Sequence, residues 1–293
     1  MSGTVTFASM NVQGMGDIRK FRDVLNLLKA KQYNIYSLQE THLTDNDIPF
    51  TRSIWGFEWY FNNSSQSRGV AILINNIFYY KFKRNEKDNT GNLPILHFST
   101  YEIDLSLFCI YGPNKDSPHF YEYIRKQMTE TENNCVLVGY FILVLSPEKV
   151  YFNYMHLNNP KARQNVIEMM LDLDLIDCWR EDHMEDKMYA WLKKNPVKQA
   201  RLDFFLISNT IYSKVDKTDI LPGYITDHSL TFLSAVLDKN IEKGYPSWKF
   251  NNSLLRDTRY INKIKQLINR IKVQYAGEDQ FENVSIENID SKD

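Results

Sequence analysis

Short apolar runs, several of them ending in a polar residue, constrain the fold of this chain more than any other feature. The first, Thr4 to Met10, alternates polar and apolar residues and is typical of a β-strand. Helical spacing of apolar residues predicts helices at 18–31, 118–131 and 160–173, and Asp17 is a suitable N-cap for the first. Further strands are predicted at 35–38, 70–74, 104–111, 135–138, 175–177, 202–208 and 229–236. This mixture indicates an α/β fold of two packed sheets with helices outside, rather than one parallel sheet.

Composition narrows the class of protein. With 293 residues, 43% of them hydrophobic, the chain can bury a large core. The formal net charge of −1 gives no general attraction for nucleic acid, so any such binding must come from local basic patches. Cys109, Cys135 and Cys178 are odd in number and widely spaced, which argues against disulfides or a thiolate zinc site and favours a reducing intracellular compartment. We see no signal peptide and no apolar run long enough to cross a membrane.

The composition changes near residue 240, which predicts three regions. Residues 1–238 are expected to form the folded domain. Residues 239–275 are predicted to be a linker and a basic helix at 254–272, whose isoleucine face would be exposed without a further domain to cover it. Residues 276–293 are acidic and poor in apolar side chains, so we expect a disordered tail.

Seven polar residues lie at or near the ends of predicted strands. A strand end lets a loop present side chains while the sheet holds the backbone rigid. Taken singly, such a glutamate is usually a surface residue, such a histidine a structural one and such a tyrosine a packing residue. As a group they form a candidate site: Asn11, Glu40, Tyr111, Asn114, Asp203, Asp227 and His228.

Six short motifs occur in one order along the chain: S-M-N-V-Q-G, L-Q-E-T-H-L, R-G-V-A-I-L, I-Y-G-P-N, R-L-D-F-F-L-I-S and T-D-H-S. Their order and spacing resemble those of the endonuclease/exonuclease/phosphatase superfamily. Within it the chain most resembles the apurinic-endonuclease-like domain that begins the polyprotein of LINE-type non-LTR retrotransposons. W-K-F-N-N-S-L-L at 248–255 resembles the sequence that leads from that domain towards the reverse transcriptase, a domain we therefore expect to be missing here.

The resemblance implies a DNase-I-like fold, a four-layered sandwich of two packed mixed β-sheets flanked by helices. It also implies a metal-dependent endonuclease that nicks DNA by in-line attack of water, leaving a 3′-hydroxyl and a 5′-phosphate. We accordingly expect DNA as the partner, a monomer, and a nuclear location if the protein is functional.

The same resemblance assigns roles to individual residues. Glu40, with Asn11 and Asp227, would hold Mg²⁺, or Mn²⁺ in its place, and oxygen ligands suit these ions. His228 would contact the scissile phosphate or move a proton, and Asp203 would fix its tautomer.

Two further residues receive roles in the same way. Tyr111 would place its hydroxyl on a phosphate oxygen, and Asn114 would hold the loop or the substrate. The motif residue His42 is interpreted as structural.

The catalytic set is incomplete at one motif. The superfamily normally carries G-D-F-N, whereas this chain has Gly139-Tyr140-Phe141-Ile142. Tyr140 replaces the aspartate that would activate water, and a phenol with a pKa near 10 is a poor base at neutral pH. Ile142 replaces a hydrogen-bonding asparagine. We therefore predict an activity at least about a hundredfold below that of a complete relative.

Two other positions also differ from the residues that the superfamily usually carries. Val150 stands where relatives often have aspartate, and Ala190 replaces a frequent threonine. Each of the four changes can arise from one base change, which favours drift in a decaying element copy. If Tyr140 and Ile142 were instead selected, they should pack into a closed, non-catalytic site that binds a ligand tightly.

Two basic clusters are candidate DNA contacts. Lys193, Lys194, Lys198 and Arg201 lie in one segment, and residues 81–84 contain three more basic residues. Such clusters are more often solvated surface. Three functions thus remain open: an impaired nicking endonuclease, a non-catalytic remnant that binds DNA or metal weakly, and a phosphatase of the same fold acting on a small phosphoester.

Overall fold

The computed structural model describes residues 3–63, 68–145, 151–152, 159–223, 225–238 and 257–275. The chain divides into two units, residues 1–249 and 250–293. The first unit holds two six-stranded sheets and one small sheet, and the second is described here by a single helix.

The first large sheet is mixed. Its strands, in spatial order, are β14 (Val215–Leu221), β15 (Leu230–Val236), β1 (Thr4–Asn11), β2 (Ile35–Gln39), β4 (Val70–Ile74) and β3 (Trp59–Asn62). Only β1 and β2 pair in parallel, because the helix α1 (Ile18–Lys31) carries the chain back between them. Asp17 caps this helix as predicted, since its carboxylate accepts hydrogen bonds from the N–H groups of Arg19 and Lys20.

The second large sheet repeats this arrangement. Its strands, in spatial order, are β10 (Leu175–Asp177), β13 (Asp203–Ser208), β8 (Asn134–Tyr140), β7 (Ile103–Tyr111), β6 (Pro94–Thr100) and β5 (Lys81–Lys87). Only β7 and β8 are parallel, and the helix α3 (Pro118–Glu130) connects them. The small sheet consists of β11 (Trp191–Lys193), β12 (Lys198–Ala200) and β9 (Tyr151–Phe152).

Helices cover the outer faces of both large sheets. Besides α1 and α3 they are α2 (Ile48–Trp55) and α4 (Pro160–Asp172). The short helices α5 (Cys178–Asp182) and α6 (Asn209–Tyr212) lie against β10 and β13 and contribute to the core between the sheets. Phe7, Ile72 and Val138 belong to a core between the sheets, Phe21 of α1 to a second core on the first sheet, and Val166 of α4 to a third on the second sheet. The predicted four-layered sandwich of two mixed sheets is therefore confirmed.

The second unit contains the helix α7 (Thr258–Tyr275). The prediction of 254–272 was three residues short at its C-terminal end, and residues 254–256 lie outside the described part of the chain. Leu267, Ile268 and Ile271 are 45–47% exposed. The predicted linker at 239–253 and the predicted tail at 276–293 also lie outside the described residues. In the described part of the chain, no helix combines the length and the apolar character needed to cross a bilayer.

Candidate functional site

Sheet register brings the predicted residues of the first sheet to one edge. Asn11 ends β1 and pairs with Gln39, which ends β2, so Glu40 follows directly beside Asn11. His228 lies just before β15, which is antiparallel to β1, so the start of β15 lies at the same edge. We call this the site edge.

Strand register also brings the predicted residues of the second sheet together. Tyr111 pairs with Tyr140 on the parallel strand, and Tyr140 pairs with Asp203 on the antiparallel strand. Residues paired directly across strands point to the same face of a sheet. Tyr111 belongs to the core between the sheets, so Tyr140 and Asp203 are on the face that looks towards the first sheet. The two sheets meet where Nδ1 of His228 lies 2.8 Å from Oδ2 of Asp203.

Three predicted metal ligands lie beside this contact, although the side-chain oxygen of Asn11 accepts a 3.0 Å hydrogen bond from the N–H of Gln13. Nδ2 of Asn11 donates a hydrogen bond of 2.8 Å to Oε1 of Glu40. Oδ2 of Asp227 accepts a 2.9 Å hydrogen bond from Nε1 of Trp191, whereas its Oδ1 is buried and has no hydrogen-bond partner among the described residues. That free oxygen and the Glu40 carboxylate suit a hard cation that keeps several waters. Within the described residues, no three His, Cys, Asp or Glu side chains are grouped to hold a metal, so such an ion would also need amide oxygens and water.

His228 is almost fully buried, with 2% of its surface exposed. Burial opposes its protonation, but the charges of Asp203, Asp227 and Glu40 outweigh this effect and raise the pKa of His228. Its Nε2 lies 3.7 Å from Oδ1 of Asp227. The imidazole is therefore fixed at Nδ1 and can hold a proton at Nε2.

Tyr111 and Asn114 lie together at the end of β7. Burial raises the pKa of Tyr111 to about 12, the charge and hydrogen bond of Glu40 act in the same direction, and a hydrogen bond from Asn114 opposes them. The Tyr111 phenol therefore stays neutral near pH 7 and can donate a hydrogen bond. Asn114 is exposed.

Tyr140 occupies the centre of the site edge. Its ring centroid lies 4.7 Å from the His228 ring, edge to face, and 5.8 Å from the Tyr111 ring. The side chain also packs against Val144 and Leu202. Position 140 thus lies next to the histidine, and an aromatic ring fills space there.

The backbone around Tyr140 has unusual conformations on both sides. Gly139 has φ 140°, and a Cβ there would lie 2.1 Å from the carbonyl oxygen of Ile110, so only glycine fits. Ile142 has φ 55°, in the left-handed region, although it is β-branched. Asparagine enters that region far more readily than isoleucine. Val150 lies outside the described residues, and Ala190 is fully buried.

Two of the predicted basic residues line an open cavity beside the site edge. Lys193 and Lys194 are exposed, and with Asp227 and His228 they line a cavity of about 650 Å³. Lys198 is half-buried on β12. In the other cluster, on the edge strand β5, Lys83 lies 2.7 Å from Asp104.

The prediction that Arg201 contacts DNA is wrong. Its side chain is 1% exposed and forms a two-point ion pair with Asp177. The guanidinium also lies 5.5 Å from the Trp179 ring and 5.2 Å from the Phe204 ring. A buried, paired cation cannot reach a phosphate, so Arg201 supports the strand that carries Asp203.

The sequence did not indicate Lys20, which lies among the acidic residues of the site. Its Nζ donates a 2.7 Å hydrogen bond to the carbonyl oxygen of Gln13. Burial lowers its pKa, while the charges of Glu40 and Asp227 act in the opposite direction. Lys20 is in the first turn of α1, so the strand-end pattern could not reveal it. His42, predicted to be structural, has Nε2 4.0 Å from Oε2 of Glu40.

Curated proteins similar to the chain include a transposon protein and a nuclease. Transposon TX1 uncharacterized 149 kDa protein of Xenopus laevis is 24% identical over 276 residues, which cover 89% of this chain and 20% of that protein. An exodeoxyribonuclease of Bacillus subtilis is 22% identical over 240 residues, which cover 72% of this chain and 91% of that enzyme. The chain thus spans about a fifth of the transposon protein. No protein-family model matches the sequence.

Solved structures share the fold. The AP endonuclease of Leishmania major aligns with a TM-score of 0.68 at 17% identity, covering 80% of this chain and 88% of that chain. A 3′ phosphatase from Neisseria bound to a product DNA hairpin aligns with a TM-score of 0.61 at 20% identity, covering 78% of this chain and 98% of that chain.

The fold is therefore the DNase-I-like sandwich of AP endonucleases and related nucleases, as the motifs predict. The exodeoxyribonuclease found by sequence similarity is consistent with this class of fold. Together they confirm the resemblance to the endonuclease/exonuclease/phosphatase superfamily and, within it, to a transposon protein.

Proposed function

We propose that the site edge is the active site of a metal-dependent DNA phosphodiesterase of the nicking type, impaired by Tyr140 and Ile142. The observation that carries this proposal is the meeting of Glu40, Asp203 and His228 at one edge. The two sheets contribute these side chains separately, and His228 and Asp203 join them through a 2.8 Å contact. Such a gathering of ionisable groups, of which Asp203 and His228 are buried and Glu40 is half-buried, costs stability and is typical of a functional site.

Glu40, Asp227 and Asn11 would hold Mg²⁺, or Mn²⁺ in its place. When bound, the ion would stabilise negative charge on the phosphate and on the leaving oxygen. The Oδ1 atom of Asp227 without a hydrogen-bond partner and the Glu40 carboxylate supply oxygens of the kind that such an ion prefers.

The remaining residues would act on the phosphate directly. His228, oriented by Asp203 and with a raised pKa, would present a proton at Nε2 to a phosphate oxygen. Tyr111 would donate a hydrogen bond from its neutral phenol, and Asn114 would hold that phenol in place.

Two substitutions would weaken this chemistry. Tyr140 offers a phenol where a carboxylate would activate water, and its ring fills space beside His228. Ile142 offers no side-chain hydrogen bond, and its left-handed backbone suits an asparagine better. Because isoleucine is poorly suited to this backbone conformation, its presence supports mutational drift at position 142 rather than selection for isoleucine. We expect a loss of at least about a hundredfold.

DNA is the proposed substrate. The similar proteins include an exodeoxyribonuclease and a phosphatase bound to a DNA hairpin, and exposed Lys193 and Lys194 border the site cavity. A non-catalytic DNA-binding remnant is the second candidate, which the packing of Tyr140 against His228 favours.

A plasmid-nicking assay with Mg²⁺ tests the proposal. We expect the double variant Tyr140→Asp, Ile142→Asn to nick supercoiled DNA at least about a hundredfold faster than the wild type. Adding Glu40→Gln to the double variant, or adding EDTA, should abolish the gain.

Other outcomes separate the alternatives. If the folded double variant does not nick but both proteins bind DNA, the remnant is favoured. Hydrolysis of a soluble phosphoester without plasmid nicking would favour the small-substrate phosphatase.

A further inference from the structure

A second cavity has lining residues that differ entirely from those of the cavity that Lys193 lines. It measures about 510 Å³, and the β5–β6 loop, the segment after β7 and the start of α3 form its walls. The side chains that matter here are those of Arg68, Lys87, Asn92, Phe120 and Tyr123.

Asn92 supplies an unused hydrogen-bonding group in this cavity. Its side chain is 4% exposed and lines the cavity, yet Oδ1 has no hydrogen-bond partner in the described part of the chain. A buried amide oxygen without a donor costs free energy, so a ligand that supplies an N–H group would be stabilised there. The edges of nucleobases offer such donors beside acceptors, and an asparagine amide matches that pattern.

Two aromatic side chains supply a surface for stacking. Phe120 and Tyr123 both lie on α3 and line the cavity, and Tyr123 is 41% exposed. Bases stack on exposed aromatic rings with little dependence on sequence, because every base has a π-face. Aromatic walls around a polar amide favour a flat, polar-edged ligand over an inorganic anion alone.

Positive charge borders the same cavity. Arg68 and Lys87 are exposed. Ser117, the N-cap residue of α3, also lines the cavity, and its side chain makes no capping hydrogen bond within the described residues. Asp88 also lines the cavity, but its Oδ1 accepts hydrogen bonds from the N–H groups of Asn92 and Leu93, at 3.0 and 2.9 Å. Because the side chains of Arg68 and Lys87 are exposed, they can contact a phosphate at the rim of the cavity.

The cavity lies next to Tyr111 and Asn114 of the candidate active site. The backbone carbonyl of Asn92 accepts a 2.9 Å hydrogen bond from the N–H of Tyr111. Pro113, which lines the cavity, directly precedes Asn114, and the charge of Arg68 acts on the Tyr111 phenol. A strand whose phosphate lies on Tyr111 would therefore have a neighbouring nucleotide at this cavity.

We propose that this cavity binds one unstacked nucleobase of the DNA strand next to the phosphate held at the site edge. The base stacks on Phe120 and Tyr123, its edge pairs with the Asn92 amide, and Arg68 contacts its phosphate. This inference rests on the proposed function, because it takes the ligand at the site edge to be DNA.

The test compares two ligands by fluorescence anisotropy, with the full chain at low salt in EDTA so that no cleavage occurs. One ligand is a labelled single-stranded oligonucleotide, and the other has the same backbone with abasic spacers. We expect the wild type to bind the base-bearing strand about tenfold more tightly. Asn92→Leu and Tyr123→Ala should each remove most of that preference, whereas Tyr123→Phe should keep it.

The variants are chosen so that folding does not confuse the result. Asn92→Leu removes an unsatisfied polar group and keeps the backbone hydrogen bonds, and Tyr123 is exposed, so both proteins should retain the wild-type circular dichroism. Lys193→Ala, on the other cavity, should weaken binding of both strands alike and leave their ratio unchanged.

Equal binding of the two strands by the wild type, or an unchanged ratio in folded Asn92→Leu and Tyr123→Ala, would overturn the nucleobase inference. The nicking assay on the Tyr140→Asp, Ile142→Asn variant judges the active-site proposal separately. If the variant nicks DNA but the wild type shows no preference for the base-bearing strand, the active-site proposal stands and only the nucleobase inference is rejected.

Discussion

At the scale of single residues, Ile142 holds a backbone conformation that its own side chain disfavours. Its φ of 55° costs a β-branched residue about 1–2 kcal/mol, whereas asparagine tolerates it. Ile142→Asn and Ile142→Gln both lose the buried apolar side chain. The difference between their free energies of unfolding therefore measures how well each residue accepts the left-handed backbone conformation. We expect Ile142→Asn to be about 1 kcal/mol more stable than Ile142→Gln in urea denaturation. Equal midpoints would show that the loop relaxes around either residue.

Arg201 marks the limit of prediction at this scale. In the sequence it belongs to a basic segment with Lys193, Lys194 and Lys198, and its charge alone suggests a surface role. Its partner Asp177 is on β10, a strand that pairs with β13 only in the folded chain. Because burial depends on that pairing, residue type could not distinguish Arg201 from the lysines.

At the scale of elements, most of the buried strands could be predicted, whereas the buried strand β6 and several edge strands could not. β1, β2 and β7 carry apolar residues because both of their faces are covered. β5 is largely exposed and rich in lysine and arginine, and it is a strand only because β6 pairs with one of its sides. Charged edge strands of this kind prevent pairing with other chains, and they lack the apolar pattern that identifies a strand. β14, another edge strand, was missed for the same reason.

Strand pairing also creates a pH-sensitive group on β6. His97 is 1% exposed and lies 2.7 Å from Oγ of Ser106 on β7. Burial lowers the pKa of His97, Arg84 adds to this effect, and Glu86 opposes it. His97 thus stays neutral in the folded chain at a pH where the unfolded chain binds a proton. Stability should therefore be lost as pH falls below about 6.5, by at most about 1.4 kcal/mol per pH unit.

Urea denaturation on both sides of that pH checks the prediction. His97→Asn should show a shallower pH dependence than the wild type. His119→Asn removes a histidine that is 91% exposed and should keep the wild-type slope. An unchanged slope in His97→Asn would assign the pH dependence to other groups.

At the scale of the whole molecule, the candidate site exists only because two sheets pack face to face. Glu40 comes from the first sheet and Asp203 from the second, and His228 contacts the latter. A ligand that binds only this assembled site stabilises the folded state, by about 2.7 kcal/mol at a hundredfold excess over Kd. We therefore expect Mg²⁺ to raise the melting temperature of the wild type.

Glu40→Gln should abolish the Mg²⁺ effect because it removes the main anionic ligand. Glu58→Gln, at an exposed position, provides the matched control and should respond as the wild type does. A Mg²⁺ response that survives Glu40→Gln would place the ion elsewhere. Differential scanning calorimetry with and without EDTA gives both measurements.

The sequence by itself determined the layered α/β class, the main buried strands, the α1 cap and the order of the motifs. These follow from local periodicity and from residues that lie next to each other in the chain. Only the tertiary structure decided that Lys20 lies beside the acidic groups, that Arg201 is buried, and that Asn92 opens into a cavity beside Tyr111. Those facts depend on contacts between strands far apart in sequence, because burial and charge environment are properties of the packed sheets and not of the segments themselves.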